Sequence, residues 1–201
     1  MKIRKTEPYA LLAVAGVAGA GKDTLADLLV EEFDFTKIAF ADPMRAMAAA
    51  MNPIVESEVV GWDMVHTRYN DAVAELGYVQ AKIAYPEIRR FLQTLGTEAG
   101  RQVLGDDIWV DTAMASIATC PRVVIADLRF RNEAKAVRSR AGLTVKVQRH
   151  GVGAVHDHIS EHDLDSWTFA DVVTNDGSIE DLRRAAWSLV QARFPWILRG
   201  K

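Results

Sequence analysis

Cysteine is nearly absent. Cys120 is the only one in 201 residues, so no internal disulfide can brace the fold and no set of thiolates can hold a metal. Net positive charge is missing too. The 24 Lys and Arg stand against 27 Asp and Glu, a formal charge of -3, which gives no overall field for nucleic acid or an anionic membrane. Anions must be met by local basic clusters. No apolar run approaches the roughly 20 residues that cross a bilayer; the longest, Ala10 to Ala20, is broken by Gly16 and Gly19. Met1 to Pro8 is polar and lacks the apolar segment of a secretion signal, so a cytoplasmic location is expected, with neither nucleic acid nor membrane as partner. Repeats and low-complexity linkers are also absent. What remains, 49% hydrophobic and 25% charged residues, is enough to bury the core of one domain spanning 1–201.

Five short apolar runs read as strands buried on both faces: Tyr9 to Gly16, Thr36 to Ala41, Arg122 to Asp127, Leu143 to Gln148 and Ala170 to Thr174. Helical spacing follows most of them, as in Leu25, Leu28, Leu29 and Phe33, or Ile179, Leu182, Ala186, Leu189 and Val190. Strand alternating with helix predicts an α/β fold, a five-stranded parallel sheet with helices on both faces. Ser178 and Asp181 form a capping-box pattern that starts the last helix after the turn Asn175-Asp176-Gly177. The stretch Pro43 to Thr119 breaks the alternation. It shows no strand pattern and reads as a helical insertion, with helices expected at Met44–Met51, Glu56–Tyr69 and Ile88–Thr97. Its aromatics, Trp62, Tyr69, Tyr78, Tyr85, Phe91 and Trp109, either line a pocket or build a second small core. The expected organisation is a core of 1–42 and 120–201, an insertion at 43–119 and a lid at about 150–166.

The most specific pattern is Gly16-Val17-Ala18-Gly19-Ala20-Gly21-Lys22-Asp23-Thr24, placed between the first strand and first helix. Its glycines let successive N–H groups curl inward, the helix N-terminus adds partial positive charge, and Lys22 reaches the outer phosphates of a polyphosphate nucleotide. Asp23 stands where Ser or Thr usually follows the lysine, and either binds magnesium or simply favours the first helical turn.

The strand Val123 to Ala126 ends in Asp127, where such folds commonly place an acid that orients magnesium or its waters. Leu128 follows instead of a water-activating Glu, and Arg129 and Arg131 come next, which suits a second phosphate-bearing substrate better than a water nucleophile. Other arginines that can meet an acceptor phosphate are Arg45, Arg89, Arg90 and Arg101, because guanidinium donates paired, permanently charged hydrogen bonds. Arg90 is preferred, since Gln93 lies one turn away and can read a base edge. Asp42 before Pro43 is expected to cap a helix. The cluster His156, Asp157, His158, Ser160, Glu161, His162 and Asp163 lacks a zinc spacing and reads as a polar lid with Arg149 at its root.

Together these segments resemble the bacteriophage deoxynucleoside monophosphate kinases of the nucleoside-monophosphate-kinase group of phosphate-loop proteins. The likeness runs through Gly16 to Thr24, Phe40-Ala41-Asp42-Pro43, Arg90 to Glu98, Trp109-Val110, Asp127 to Glu133, His158 to Glu161 and Asn175 to Ser178. It implies the phosphate-loop NTPase fold, an acceptor-binding helical insertion, a lid, and transfer of the ATP gamma-phosphate to a deoxynucleoside monophosphate for phage DNA synthesis, with Mg2+ as cofactor. On that resemblance ATP is assigned to Gly16, Ala18, Gly19, Ala20, Gly21, Lys22, Asp23, Thr24, Arg149, Asn175, Gly177 and Ser178. The acceptor falls to Asp42, Arg45, Arg90, Gln93, Thr97, Glu98 and Trp109, catalysis to Lys22, Arg129 and Arg131, and magnesium to Asp23 and Asp127. The acceptor base stays open, and a homodimer is compatible with the sequence. Another small-molecule kinase, such as one acting on dephospho-coenzyme A, and a nucleotide-binding switch without transfer are the competing readings.

Overall fold

The computed structural model describes residues 9–152 and 163–199. The chain divides into two compact units, one of Met1–Phe40 with Ala113–Lys201 and the other of Ala41–Thr112.

Elements are numbered along the chain. The first unit holds strands β1 (Ala10–Ala15), β2 (Thr36–Ile38), β5 (Arg122–Leu128), β6 (Leu143–Gln148) and β7 (Asp171–Thr174), with helices α1 (Lys22–Phe33), α7 (Arg131–Ser139), α8 (Ile179–Arg193) and α9 (Pro195–Leu198). The five strands form one parallel sheet in the order β2-β5-β1-β6-β7. Every residue of β1 is buried, as expected for the central strand of a sheet covered on both faces. Leu12 and Val14 pack with Leu25, Leu29 and Phe33 of α1 and with Leu182, Ala186 and Val190 of α8. On the opposite face Leu11 and Val137 of α7 close around Gly142, where a Cβ would sit 2.7 Å from Val137 and 2.8 Å from Leu11. Phe33 and Trp187 meet edge to face at 4.9 Å, and Arg183 of α8 pairs with Glu32 of α1. β2 stops at Ile38, three residues sooner than the apolar run suggests, because the Phe40 N–H turns to the Asp127 carboxylate at 2.7 Å.

The second unit corrects the sequence reading. Glu56–Tyr69 is not a helix: β3 (Ile54–Val60) and β4 (Asp63–Arg68) form an antiparallel hairpin. Two features decide it. Val55, Val59, Val60, Val65 and Thr67 are β-branched, and Gly61 takes φ 69° in the two-residue turn between Val60 and Asp63. The helix begins where the expected one ended, as α3 (Tyr69–Ala84), broken at Gly77 with φ 75°. α2 (Asp42–Met51) matches the expected helix nearly end to end, with Asp42 as its first residue, one place after the N-cap position, where its carboxylate pairs with Arg45 at 3.0 Å. The Ile88–Thr97 helix is two pieces, α4 (Pro86–Gln93) and a π-helix over Thr94–Arg101, followed by α5 (Gln102–Leu104) and α6 (Ile108–Ser116). Ala48, Val55, Tyr69, Ala72, Ala81, Ile88, Leu92 and Leu95 form this unit's own core.

The packing of Phe33 is testable. It is fully buried, so Phe33→Ala should cost about 3–5 kcal/mol in urea unfolding; a cost under about 1 kcal/mol would show that the α1 and α8 interface does not bear on the first unit's stability.

Candidate functional site

The glycine-rich loop bends because the sequence leaves no other option. Gly21 has φ 97° at the start of α1, and a Cβ there would lie 2.2 Å from the Asn175 amide nitrogen. The Ala20 N–H closes a turn onto the Val17 carbonyl at 3.2 Å, and the α1 ladder begins with the Leu25 N–H on the Gly21 carbonyl at 2.9 Å. The N–H groups of the first turn have no partner within the helix, so the loop and helix end present donors beside the Lys22 ammonium.

A cleft of about 400 Å³ opens on this end of the sheet. Gly19, Gly21, Lys22, Asp23 and Thr24 line it from the loop, Arg149 from the end of β6, and Asn175, Gly177 and Ser178 from the corner between β7 and α8. The structure thus gathers residues from three distant segments that the sequence had assigned to one ligand. Asn175 donates its side-chain amide to the Ala20 carbonyl at 2.9 Å, tying the corner to the loop. Ser178 caps α8: its hydroxyl accepts from the Asp181 N–H, and the Asp181 carboxylate accepts from the Ser178 hydroxyl and N–H, both at 2.7 Å. Those bonds, the hydroxyl's first, hold the Asp181 carboxyl below the ordinary carboxylate range. Ile179 and Leu182 supply an apolar wall that the sequence reading did not assign to the ligand. Their three-residue spacing directly after the cap was the available signal.

Asp23 is exposed and lies 3.4 Å from Lys22 and 3.6 Å from Lys37, which also bonds Asp27 at 2.8 Å. This lysine on β2 escaped the sequence reading, having no motif around it. Asp127 lies at the end of β5, where its carboxylate accepts the Phe40 N–H. Arg129 lines a small cavity against Gly16 and Val17. The turn carrying it is pinned by the buried Glu133, whose carboxylate accepts from the N–H groups of Arg129 at 2.8 Å and Phe130 at 3.0 Å. Arg131 is committed elsewhere: its N–H and Nε bond Asp163 at 2.6 and 2.8 Å, and its guanidinium also bonds Ser166. Of the polar cluster assigned to the lid, Asp163 is the described member; His156, Asp157, His158, Ser160, Glu161 and His162 lie outside the described residues.

The second unit groups most of the acceptor candidates on one exposed surface. Arg90, Gln93, Thr97 and Glu98 follow one another at helical spacing along α4 and the π-helix, while Ile88, Leu92 and Leu95 are buried. Glu87 holds Arg90 through two bonds of 2.8 and 2.5 Å. That hydrogen-bonded pairing raises the Arg90 pKa and lowers that of Glu87. Arg45 stacks 4.8 Å over the Tyr78 ring. Trp109 is buried, donating to the Gly96 carbonyl at 2.9 Å and packing where a Gly100 side chain would be, so its observed contacts brace the π-helix.

A family model for deoxynucleotide monophosphate kinase matches residues 60–185. This chain belongs to the deoxynucleotide monophosphate kinase family. An Acanthamoeba polyphaga mimivirus protein named "Putative deoxynucleotide monophosphate kinase" is 27% identical over 187 residues, covering 85% of this chain and 91% of the viral one. An unliganded sugar kinase from Janibacter sp. HTCC2649 aligns over 94% of this chain and 98% of its own at 13% identity, with a TM-score of 0.43. Membership of the family makes the protein a kinase; among the described residues no helix is long and apolar enough to cross a membrane.

Two outcomes check this kinase's cleft. Lys22→Met should keep the unfolding midpoint and lower turnover by about 100-fold or more; near-normal turnover would remove Lys22 from the chemistry. The lowered Asp181 pKa means that its carboxylate stabilises the fold above the unfolded value, near 4, and that this contribution disappears as pH falls through the folded value. The unfolding free energies of wild type and Asp181→Asn should therefore differ at pH 7 and converge on acidification; a difference that does not change with pH would exclude the charged cap.

Proposed function

We propose that the chain transfers the gamma-phosphoryl group of ATP to a deoxynucleoside 5′-monophosphate, releasing ADP and the deoxynucleoside diphosphate. The observation that carries the reading is the cleft in which the glycine loop, Lys22, Arg149 and the Asn175–Ser178 corner converge. Its loop end suits phosphates, and its Ile179 and Leu182 wall suits the flat apolar face of a base.

Such a transfer asks the protein for position and charge more than for covalent chemistry. Loop N–H groups and Lys22 hold the donor phosphates, Arg149 and the corner hold the nucleoside, and Arg129 faces the start of the loop. Arg131, bound to Asp163 and Ser166, fixes the chain near Arg129. Magnesium fits the oxygen donors present, since this ion takes one or two carboxylates together with phosphates and waters. Asp23 offers an exposed carboxylate on the cleft wall, and Asp127 has one oxygen on the Phe40 N–H. When bound, the ion neutralises charge on the donor phosphates. On the second unit, taken by itself, Arg90 offers a guanidinium suited to a phosphate and Gln93 an amide suited to a base edge. Glu87 keeps the guanidinium in place until the more highly charged phosphate displaces it.

The direct test is nucleotide analysis after incubating the full chain with ATP, Mg2+ and each of the common deoxynucleoside monophosphates. Equal amounts of ADP and one or more deoxynucleoside diphosphates are expected; ATP breakdown to inorganic phosphate with no diphosphate would overturn the proposal. Arg90→Ala should raise the acceptor KM about 10-fold or more, the cost of one charged hydrogen bond, and leave ATP binding unchanged. Gln93→Ala should reorder the bases accepted. Unchanged acceptor kinetics for both variants would move the acceptor site off α4.

A further inference from the structure

Lys146 sits where a parallel sheet has little use for a lysine. It lies on β6 between β1 and β7, in register with Ala15 and Val172, while its neighbours Val145 and Val147 are buried. Lys146 is itself half-buried, and drawing a charge partly out of water costs free energy unless something meets it. Among the described residues no carboxylate pairs with its ammonium, which lies 5.9 Å from the centroid of the Phe169 ring. The lysine lines a cavity of about 80 Å³ with Gly16, Val17, Arg129 and Asp165. That volume admits a group of phosphate size, and the cavity lies at the carboxyl ends of the strands, where open α/β sheets bind ligands. The donor cleft takes the far end of the same loop, Gly19 to Thr24. One loop therefore separates two anion-friendly spaces, and the smaller has two cations, Lys146 and Arg129, against one acid, Asp165.

We propose that Lys146 is a catalytic residue that contacts the 5′-phosphate of the acceptor nucleotide, sharing with Arg129 the charge on the oxygen that attacks the donor gamma-phosphorus. The proposal rests on the kinase reading above. In the step one acceptor phosphate oxygen bonds to the gamma-phosphorus as the bond from that phosphorus to the ADP oxygen breaks, so no proton or further reactant is needed. Two cations beside the acceptor offset its repulsion from the donor phosphates, and a lysine supplies a point charge where arginine supplies a fork.

The test uses the full chain with Lys146→Met, which keeps the length of the side chain, and Lys146→Arg, which restores the charge. For Lys146→Met the acceptor kcat/KM should fall about 30-fold or more, calorimetric binding of the monophosphate alone should weaken about 10-fold, and the ATP dissociation constant and unfolding midpoint should stay near wild type. Lys146→Arg should recover most of the loss, which a merely structural lysine would not require. An active wild type with unaltered acceptor kinetics in Lys146→Met overturns the assignment of Lys146 alone, as does equal weakening of ATP and acceptor. A wild type that phosphorylates no deoxynucleoside monophosphate overturns the kinase reading and this inference together.

Discussion

The cleft at the glycine-rich loop depends on one hydrogen bond, from the Asn175 side chain to the Ala20 carbonyl at 2.9 Å. Because a peptide unit is planar and trans, its carbonyl and the next N–H point in opposite directions. Turning the Ala20 carbonyl toward Asn175 therefore aims the Gly21 N–H the other way. The same contact explains the glycine: a side chain at 21 would occupy the space of the Asn175 amide and would carry a positive φ. Asn175 is itself anchored, its N–H on the Gln148 carbonyl at 2.8 Å. The loop that leaves β1 is thus latched to the far edge of the sheet, and the corner that ends in the Ser178 cap is fixed by the same residue. The loop and the corner thus form a single frame, the kind of preorganisation that reduces the cost of binding a ligand.

Charge is distributed around this frame by pairing. Lys22 and Lys37 flank Asp23, Glu87 holds Arg90, Asp42 holds Arg45 and Asp163 holds Arg131. Exposed pairs of this kind add little to stability. They set the positions of long cationic side chains in a protein whose net charge is -3.

The parallel sheet was legible because its inner strands β1 and β5 are buried on both faces and read as continuous apolar runs, whereas the edge strands β2 and β7 are largely exposed. The loop was legible because its glycines and lysine are fixed by local geometry. The hairpin was not, since Val59, Val60, Trp62 and Met64 are exposed, and periodicity reports structure only where one face is buried. Gly61 was the overlooked signal. The π-helix at Thr94–Arg101 escaped for a related reason: its wider turn has no sequence period of its own, and it is supported by the Trp109 ring, many residues along the chain. Site residues from distant segments could be named singly, as Arg149 and Asn175 were. The partners that hold them, Ala20 for Asn175 and Glu133 for the Arg129 turn, required the fold.

The role proposed for the Asn175 latch is to shape the loop into a nucleotide cradle. Calorimetric titration of ATP with Mg2+ into wild type and Asn175→Ala measures it directly. A loss of about 10-fold or more in ATP affinity, the weight of a half-buried bond whose carbonyl is left without its donor, with an unchanged circular dichroism spectrum, is expected. Equal affinity of the two proteins for ATP would contradict it.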